Sequence, residues 1–415
     1  MPYHTAWLKH AQFPAMLQVL LEQETLKRRE IGDLGIKDCN NAADFRRLAE
    51  KRLPAPLFHY IDGGSDDEVT LRRNTEAFDQ VRLIPDALAD LTGMDLKVNV
   101  LGQDIDWPVF CSPTAMTRLF HHEGELAVAR AAHQHKTMYS LSSLSTTSIE
   151  EVGASTAGPK CFQLYIHKDR GMSWEFIERC KAANYSAICL TVDTLVAGNR
   201  EKDLYTGMVI PPRFTLKSLM SFAMHPSWSF NYLLRKKFEL ANVAGRIADG
   251  SGKLTSVVGY MNSQFDRSIT WKDAEEAIQR WGGPFAIKGV MSVEDARRAV
   301  DVGASAVMIS NHGGRQLDGS TAPFDQLGPI VDAVGDQIEV IVDGGVRRGT
   351  HVLKSLAMGA KACMVGRGYL YAVAAGGYAG VDRALTRLRD EIERDMILMG
   401  CSSIEELNRS KLHFD

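Results

Sequence analysis

The stretch FAIKGVMSVEDARRAVDVGASAVMISNHGGRQLDG, residues 285–319, decides the fold. An apolar run at 285–288 gives way to SVEDARRAVDVG, whose apolar residues recur at three- and four-residue spacing, as on one face of a helix. A second apolar run, 306–311, follows and ends in polar residues. The unit is strand, helix, strand. The same alternation extends outward in both directions. Strand candidates lie at 109–114, 138–143, 162–166, 187–193, 285–288, 306–311, 340–343 and 362–366, with helical segments such as EGELAVARAAHQH, SWEFIERCKAAN and GTHVLKSLAMGA between them. Eight βα units over about 280 residues match a closed (β/α)8 TIM barrel better than an open doubly wound sheet. The interval of about 90 residues between the fourth and fifth strands marks a long insertion, placed at about 205–265.

Before the barrel, NAADFRRLAEKRLPAPLFHYIDGGSDDE, starting at Asn41, reads as a helix, a Pro-interrupted short helix and a Gly-Gly exit. Residues 1–40 read as an N-terminal helical extension, with an amphipathic helix possible at 16–26, and residues 41–415 as one barrel domain. The chain of 415 residues is 45% hydrophobic, enough for a sizeable core. Its 48 basic and 51 acidic residues leave a net charge of −3, so bulk charge argues for no nucleic acid or other polyanion as partner. Seven scattered cysteines without a CxxC pair predict reduced thiols in a cytoplasmic protein and no metal site. The N-terminus lacks the pattern of a secretory signal. The uncharged stretch 369–381 is well short of the roughly 20 residues that a spanning helix needs.

In such barrels chemistry collects where strands end, because side chains there converge on one mouth. Here the strand ends carry Thr114, Ser142, Gln163, Tyr165, Thr191, Asp193, Lys288, Ser310, His312, Asp343 and Arg367. Any one could be a satisfied strand-end hydrogen bond. Together they point to a site. VDGGVRRG (342–349) and MVGRG (364–368) each follow a strand and precede a helix, so backbone N–H groups and a helix N-terminus can face an anion. A Gly-Gly pair alone marks no more than a tight turn; two such loops in succession, with Arg347 and Arg367 beside them, point to a phosphate-bearing ligand. Lys288 lies in apolar surroundings, where a lysine is costly unless paired or facing a ligand. His312 and Arg315, separated by two glycines, combine a base suited to neutral pH with a bidentate carboxylate grip.

PTAM (113–116), HHEGE, LSS, FQLYIHKDR, LTVDT, IKGV, SNHGGRQLDG, VDGGVRRG and GRGYLY resemble the FMN-dependent α-hydroxy-acid oxidase and dehydrogenase family, which includes glycolate oxidase, L-lactate dehydrogenases and mandelate dehydrogenase. The resemblance runs from about Asn41 to Leu412. It implies FMN across the barrel mouth, its phosphate on Gly344, Gly345, Gly366 and Arg367 with Arg347 nearby. Thr114, Ala115, Ser142, Gln163 and Thr191 would contact the isoalloxazine, with Ser310 and Asp343 also in the cofactor site. Lys288 would stabilise the reduced flavin. On the substrate side it implies His312 as base with Asp193 as its partner, Arg315 and Tyr60 on the carboxylate, Tyr165 on the reacting oxygen, and Arg200 nearby. By itself Asp193 could equally cap the next helix, and Tyr60 could be an ordinary core aromatic.

The implied reaction is oxidation of an L-2-hydroxy acid to the 2-oxo acid. His312 removes either the C2 proton or the hydroxyl proton; both routes need a base, a carboxylate clamp and an electron sink. Leu144 stands where glycolate oxidases carry tryptophan, and with Ala115 it leaves room for a methyl group or more. The favoured substrate is L-lactate. LVAGNREKDL, with a small Ala197, is closer to mandelate dehydrogenase and allows a mandelate-like larger acid. FTLKSLMSFAMHPSWSFNYLLRKKF (214–238) combines aromatics with a basic cluster and reads as an interfacial membrane segment; a lid or a subunit-contact loop is the competing reading. The acceptor is then a quinone or a cytochrome, at the inner face of the cytoplasmic membrane, with no fused haem domain expected. A homo-oligomer, as homotetramer, is the expected assembly. An oxygen-using oxidase is the runner-up. An FMN-dependent isomerase acting on a diphosphate and a non-catalytic flavin-binding protein are the readings from other classes.

Overall fold

In the computed structural model, residues 34–208, 213–235, 238–243 and 263–414 are described. The expected helix at 16–26, Lys236, Lys237 and residues 244–262 of the insertion lie outside them. The barrel strands are β1 (Val109–Cys111), β2 (Tyr139–Ser142), β3 (Lys160–Leu164), β4 (Ala187–Thr191), β5 (Phe285–Val290), β6 (Ala306–Ser310), β7 (Glu339–Asp343) and β8 (Ala362–Val365). All pair in parallel with their neighbours, and β8 pairs with β1 to close the barrel. The expected (β/α)8 fold is the observed one.

Parallel strands covered on both faces must be apolar throughout rather than alternating, and β3, β4 and β6 are buried at every residue. Inside the barrel Phe110, Met138, Cys161, Cys189, Met308, Ile341 and Met364 fill the space. The antiparallel pair Val98–Val100 and Gln103–Ile105 closes the N-terminal end: Val100 and Leu101 join the interior cluster, and the Leu101 N–H donates to Glu339 at the start of β7. The opposite end stays open for chemistry.

The helix of the deciding stretch, Val293–Asp301, starts where the Ser292 hydroxyl accepts from the Asp295 N–H (3.1 Å), buries Ala296 and Ala299, and is followed by Gly303 at φ +82°. Strands stop earlier than the apolar runs predict. β1 ends at Cys111 rather than Thr114, because Pro113 has no N–H to continue the ladder, and β4 ends at Thr191 rather than Asp193. Thr114 and Asp193 therefore sit on loops at the mouth. β5 carries a bulge between Lys288 and Val290, with Gly289 at φ +104°.

Outside the barrel, helices Ala42–Arg52 and Ala55–Asp62 bring Tyr60 to the mouth, and strand Val81–Leu83 pairs antiparallel with Leu412–Phe414. The uncharged stretch 369–381 is a buried helix, part of the run Arg367–Met399. It breaks at Gly376–Gly377, a break that the apolar pattern does not announce. Beyond the break, a Cβ on Gly380 would overlap the carbonyl oxygen of Ala372. Gly380→Ala should therefore lower stability by about 1–3 kcal/mol, read as an earlier denaturation midpoint with an unchanged m-value.

Candidate active site

A lysine inside the barrel must be neutralised, and register does this. Asp343 pairs with Ser310 across β7 and β6, and Lys288 faces them from β5. Lys288 Nζ lies 2.6 Å from Asp343 Oδ2 and donates to Ser310 Oγ at 2.9 Å; Ser310 donates on to Asp343 at 2.8 Å. Ser112, at the end of β1, donates to the other carboxylate oxygen at 2.7 Å. Lys288 is only 4% exposed. Burial alone would raise the Asp343 pKa, but the Lys288 charge and these hydrogen bonds outweigh it and hold the carboxyl below its ordinary range. Burial likewise opposes the charged Lys288, yet Asp343 and Asp193 keep its pKa above the usual lysine value.

His312 is placed by unusual backbone. His312, Gly313 and Gly314 have φ of +56°, +66° and +73° in succession. Glycine is required at the last two: a Cβ on Gly313 would come within 2.7 Å of Arg367 Nη1, and one on Gly314 within 2.6 Å of the Leu71 nitrogen. The turn sets His312 Nδ1 2.9 Å from Asp193 Oδ1, with the Thr194 hydroxyl at 3.3 Å. Nδ1–H donating to the carboxylate leaves Nε2 as the free, basic nitrogen. Asp193 packs against Gly289, where a Cβ would fall 2.9 Å from its own, so the β5 bulge admits the catalytic loop. Burial pushes the Asp193 pKa up, and His312 and Lys288 bring it below its ordinary value. Gln316 ties this loop down, donating to the carbonyls of Asp193 (3.2 Å) and Val196 (2.9 Å) and accepting from the Gly198 N–H.

Three guanidiniums meet around Tyr60. Arg315 and Arg200 lie over its ring at 5.0 and 5.4 Å. Arg200 pairs with Asp203 at 2.7 Å. Arg315 has no carboxylate partner among the described residues; its Nη1 donates to the carbonyls of Tyr60 and Gly63, and its remaining N–H groups are left for a ligand. Burial and the nearby Arg200 lower its pKa to about 10, a mark of a corner short of negative charge. Arg367 donates to the carbonyls of Ile61, Gly313 and Gly63. Its side chain thus anchors the Tyr60 segment and the His312 turn, and two of its N–H groups and the backbone at the helix start remain for an anion.

These groups line one cavity of about 280 Å³. Every residue singled out from the sequence faces it except Asp193 and Ser310, which stand behind His312 and Lys288. Two buried polar atoms on its wall, Gln163 Nε2 and Thr191 Oγ1, have no protein partner among the described residues. The Gln163 amide is oriented by the Ser142 hydroxyl, 3.1 Å from Oε1, so Nε2 is the atom offered. The helix from Arg367 begins at Gly366 without a side-chain cap. A ligand with hydrogen-bonding ring edges and an anionic end fits this wall. The sequence reading missed Ser112 and Gln316, and Met208, Leu240 and Phe265, which the insertion sends back to the cavity. The strand-end rule could have found Ser112; nothing local marks Phe265, whose ring stands edge-on to Tyr165 at 5.4 Å.

The chain matches the family described as FMN-dependent dehydrogenase over residues 49–414. The chain belongs to this family. Among its relatives, the L-lactate dehydrogenase of Alcaligenes faecalis is 40% identical over 374 residues, 90% of this chain and 98% of that protein. That of Vibrio cholerae serotype O1 (strain M66-2) is 40% identical over 89% of this chain and 98% of its own length. Of solved structures, the monotopic membrane protein (S)-mandelate dehydrogenase superposes with a TM-score of 0.87 at 34% identity, covering 91% of this chain and all of that one. A mandelate oxidase variant gives 0.77 at 36%, over 91% of this chain and 98% of its own. As a member of the FMN-dependent dehydrogenase family this protein is an FMN-dependent hydroxy-acid dehydrogenase, and the orphaned Gln163 and Thr191 atoms and the uncapped helix fit that cofactor. No helix among the described residues is long and apolar enough to cross a membrane.

The depressed Asp343 pKa gives a testable pH dependence. Its contribution to stability is present above the ordinary aspartate value and is lost as pH falls through the lower folded value. Asp343→Asn, which strands the Lys288 charge, should cost about 3 kcal/mol or more in urea unfolding at neutral pH. The difference from wild type should shrink in acid, where the wild-type carboxyl also protonates.

Proposed function

We propose that this enzyme oxidises L-lactate to pyruvate, admits larger L-2-hydroxy acids, and passes the electrons from FMN to a quinone or a cytochrome. The observation that carries this is the convergence on one cavity of an aspartate-oriented imidazole, with His312 Nδ1 2.9 Å from Asp193, and a half-buried guanidinium, Arg315, with no carboxylate partner among the described residues. The first can take a proton; the second grips a carboxylate. A small 2-hydroxy acid presents both needs on adjacent carbons.

FMN, when bound, supplies the two-electron sink. The backbone at Gly344, Gly345, Gly366 and Arg367 would hold its phosphate, with Arg347 alongside, and Thr114, Ala115, Ser142, Gln163 and Thr191 would line the ring. Lys288, charged and anchored by Asp343 and Ser310, would set a positive charge beside the ring. Arg315 and Tyr60 hold the substrate carboxylate, with Arg200 stacked on the same tyrosine. Burial, and then Asp193, hold the Tyr165 pKa above the ordinary range, so its hydroxyl stays protonated and donates to the substrate oxygen. His312 Nε2 takes the proton, whether from C2 or from the hydroxyl, and Asp193 stabilises the imidazolium.

The lactate dehydrogenase relatives and the combination of Ala115 and Leu144 support lactate. The larger-acid reading rests on Ala197 in the cavity wall and on the close superposition with (S)-mandelate dehydrogenase. Membrane contact is supported by the insertion, whose helices Leu216–Ala223 and Pro226–Leu234 leave Leu216, Met224 and Leu234 more than three-quarters exposed while the Trp228 indole N–H donates to the Leu119 carbonyl. A homotetramer at the inner face of the cytoplasmic membrane completes the proposal.

His312→Ala should leave FMN bound and slow its anaerobic bleaching by L-lactate at least about 10³-fold; bleaching at the wild-type rate would remove His312 as base. Phe265→Ala, which widens the wall beside Tyr165, should raise the mandelate-to-lactate ratio of kcat/KM about tenfold, measured with both acids under one acceptor. Aerobic turnover with lactate should release little peroxide; stoichiometric peroxide would make the enzyme an oxidase.

A further inference from the structure

A second cavity, of about 620 Å³, plays no part in the chemistry above. It lies between helix Ala42–Arg52 and the two insertion helices and shares a wall with the active site: Leu119 lines the first cavity, Phe120 the second, and Phe120 stacks on Tyr60 at 6.2 Å. Its charged lining is of one sign. Lys51, Arg52, Arg118 and Arg235 face it, with His121, His122 and His225 among its other polar groups, and no aspartate or glutamate among the described residues lines it. Glu123, 3.5 Å from His121, stands outside the lining and accepts from the Tyr378 N–H.

Two of these arginines are not fully satisfied among the described residues. Among the described residues Arg52 has no ion pair, Arg118 donates from Nη1 to the Thr146 carbonyl while its buried Nε has no hydrogen-bond partner, and the buried His122 Nδ1 has none either. Burial, then the neighbouring His122, Arg52 and Arg235, drives the His121 pKa down to about 4 in spite of Glu123. Arg52 and Arg235 are exposed at the cavity while Arg118 is half-buried, and no carboxylate among the described residues lies in the lining, so the like charges repel one another and a bound anion relieves that repulsion. The forked N–H groups of arginine suit phosphate oxygens. An apolar surface adjoins the cavity: Leu219, Met220 and Met224 are 52%, 57% and 76% exposed, next to the stacked pair Trp228 and Tyr232 (5.1 Å, 15°). A free inorganic anion has no use for that surface.

We infer that this cavity takes the phosphate-bearing headgroup of an anionic phospholipid, whose acyl chains run out over Leu219, Met220 and Met224. The inference rests on the membrane contact proposed above and names the lipid class for it. It also places a lipid one aromatic layer, Phe120 on Tyr60, from the active site.

The test uses the full-length, FMN-loaded enzyme. Co-sedimentation with vesicles of phosphatidylcholine alone and with phosphatidylglycerol added should show a preference for the anionic vesicles. Arg52→Gln with Arg235→Gln should cut that preference at least about tenfold, and Arg213→Gln with Lys217→Gln, exposed residues of the insertion outside the cavity lining, clearly less. Unchanged anaerobic bleaching by lactate reports that the variants are folded. Monomeric dihexanoyl-phosphatidylglycerol should quench tryptophan fluorescence in wild type and not in the Arg52/Arg235 variant, and inorganic phosphate should bind at least about tenfold more weakly. Equal effects of the two variant pairs would reduce the preference to diffuse surface attraction and overturn the site. Inorganic phosphate binding as tightly as the short-chain lipid would overturn the lipid assignment. If neither vesicle binds, the membrane reading fails; quenching by the short-chain lipid then still upholds the cavity, and its absence overturns that as well.

Discussion

A lysine charge held inside the barrel by Asp343 is the constraint from which the site follows. Lys288 Nζ and Asp343 Oδ2, 2.6 Å apart, sit on strands that do not adjoin one another, and Ser310 on the strand between bonds both. Ser112 closes the set from β1. Such an arrangement is stable only when all its partners are in register, since a buried charge missing one partner is strongly destabilising. The fixed charge then acts outward. It lowers the Asp193 pKa together with His312, and keeps that carboxylate ionised behind the imidazole.

Glycine at the mouth performs the second task. A barrel strand cannot itself turn His312 back toward the cavity; the sequence of left-handed residues from His312 to Gly314 does so, and it brings the backbone against Leu71 and Arg367. Arg367 then holds that turn and the Tyr60 helix together through three carbonyls. Base, clamp and tyrosine are thus positioned by one guanidinium that touches none of their functional atoms. Gly289 has a like role on the other side, where its missing Cβ gives room to Asp193.

Much of this was legible in the chain. The strands, the helix spacing and the polar residue at each strand end follow from local periodicity, because each βα unit repeats the same short-range pattern. His312, Arg315 and Lys288 could be singled out because their chemistry is costly in the places the pattern puts them. Strand ends were overestimated at Thr114 and Asp193, where apolar character outlasts the ladder. Arg367 reads in the sequence as a charged donor to an anion; the structure adds that its guanidinium also holds three carbonyls. Met208, Leu240 and Phe265 were not visible at all, since a loop's path back to a cavity leaves no local signature.

By itself the sequence determined the barrel, the residues available at its mouth and the FMN chemistry they resemble, because composition and period act within a few residues. Only the tertiary structure decided which of those residues meet: that Asp193 serves His312 rather than a helix N-terminus, that Arg315 keeps an edge free while Arg200 is paired, and that Arg52, Arg118 and Arg235 gather in a second cavity. Charges far apart in the chain interact only when folding brings them within a few ångströms under low dielectric, and no local pattern encodes that distance.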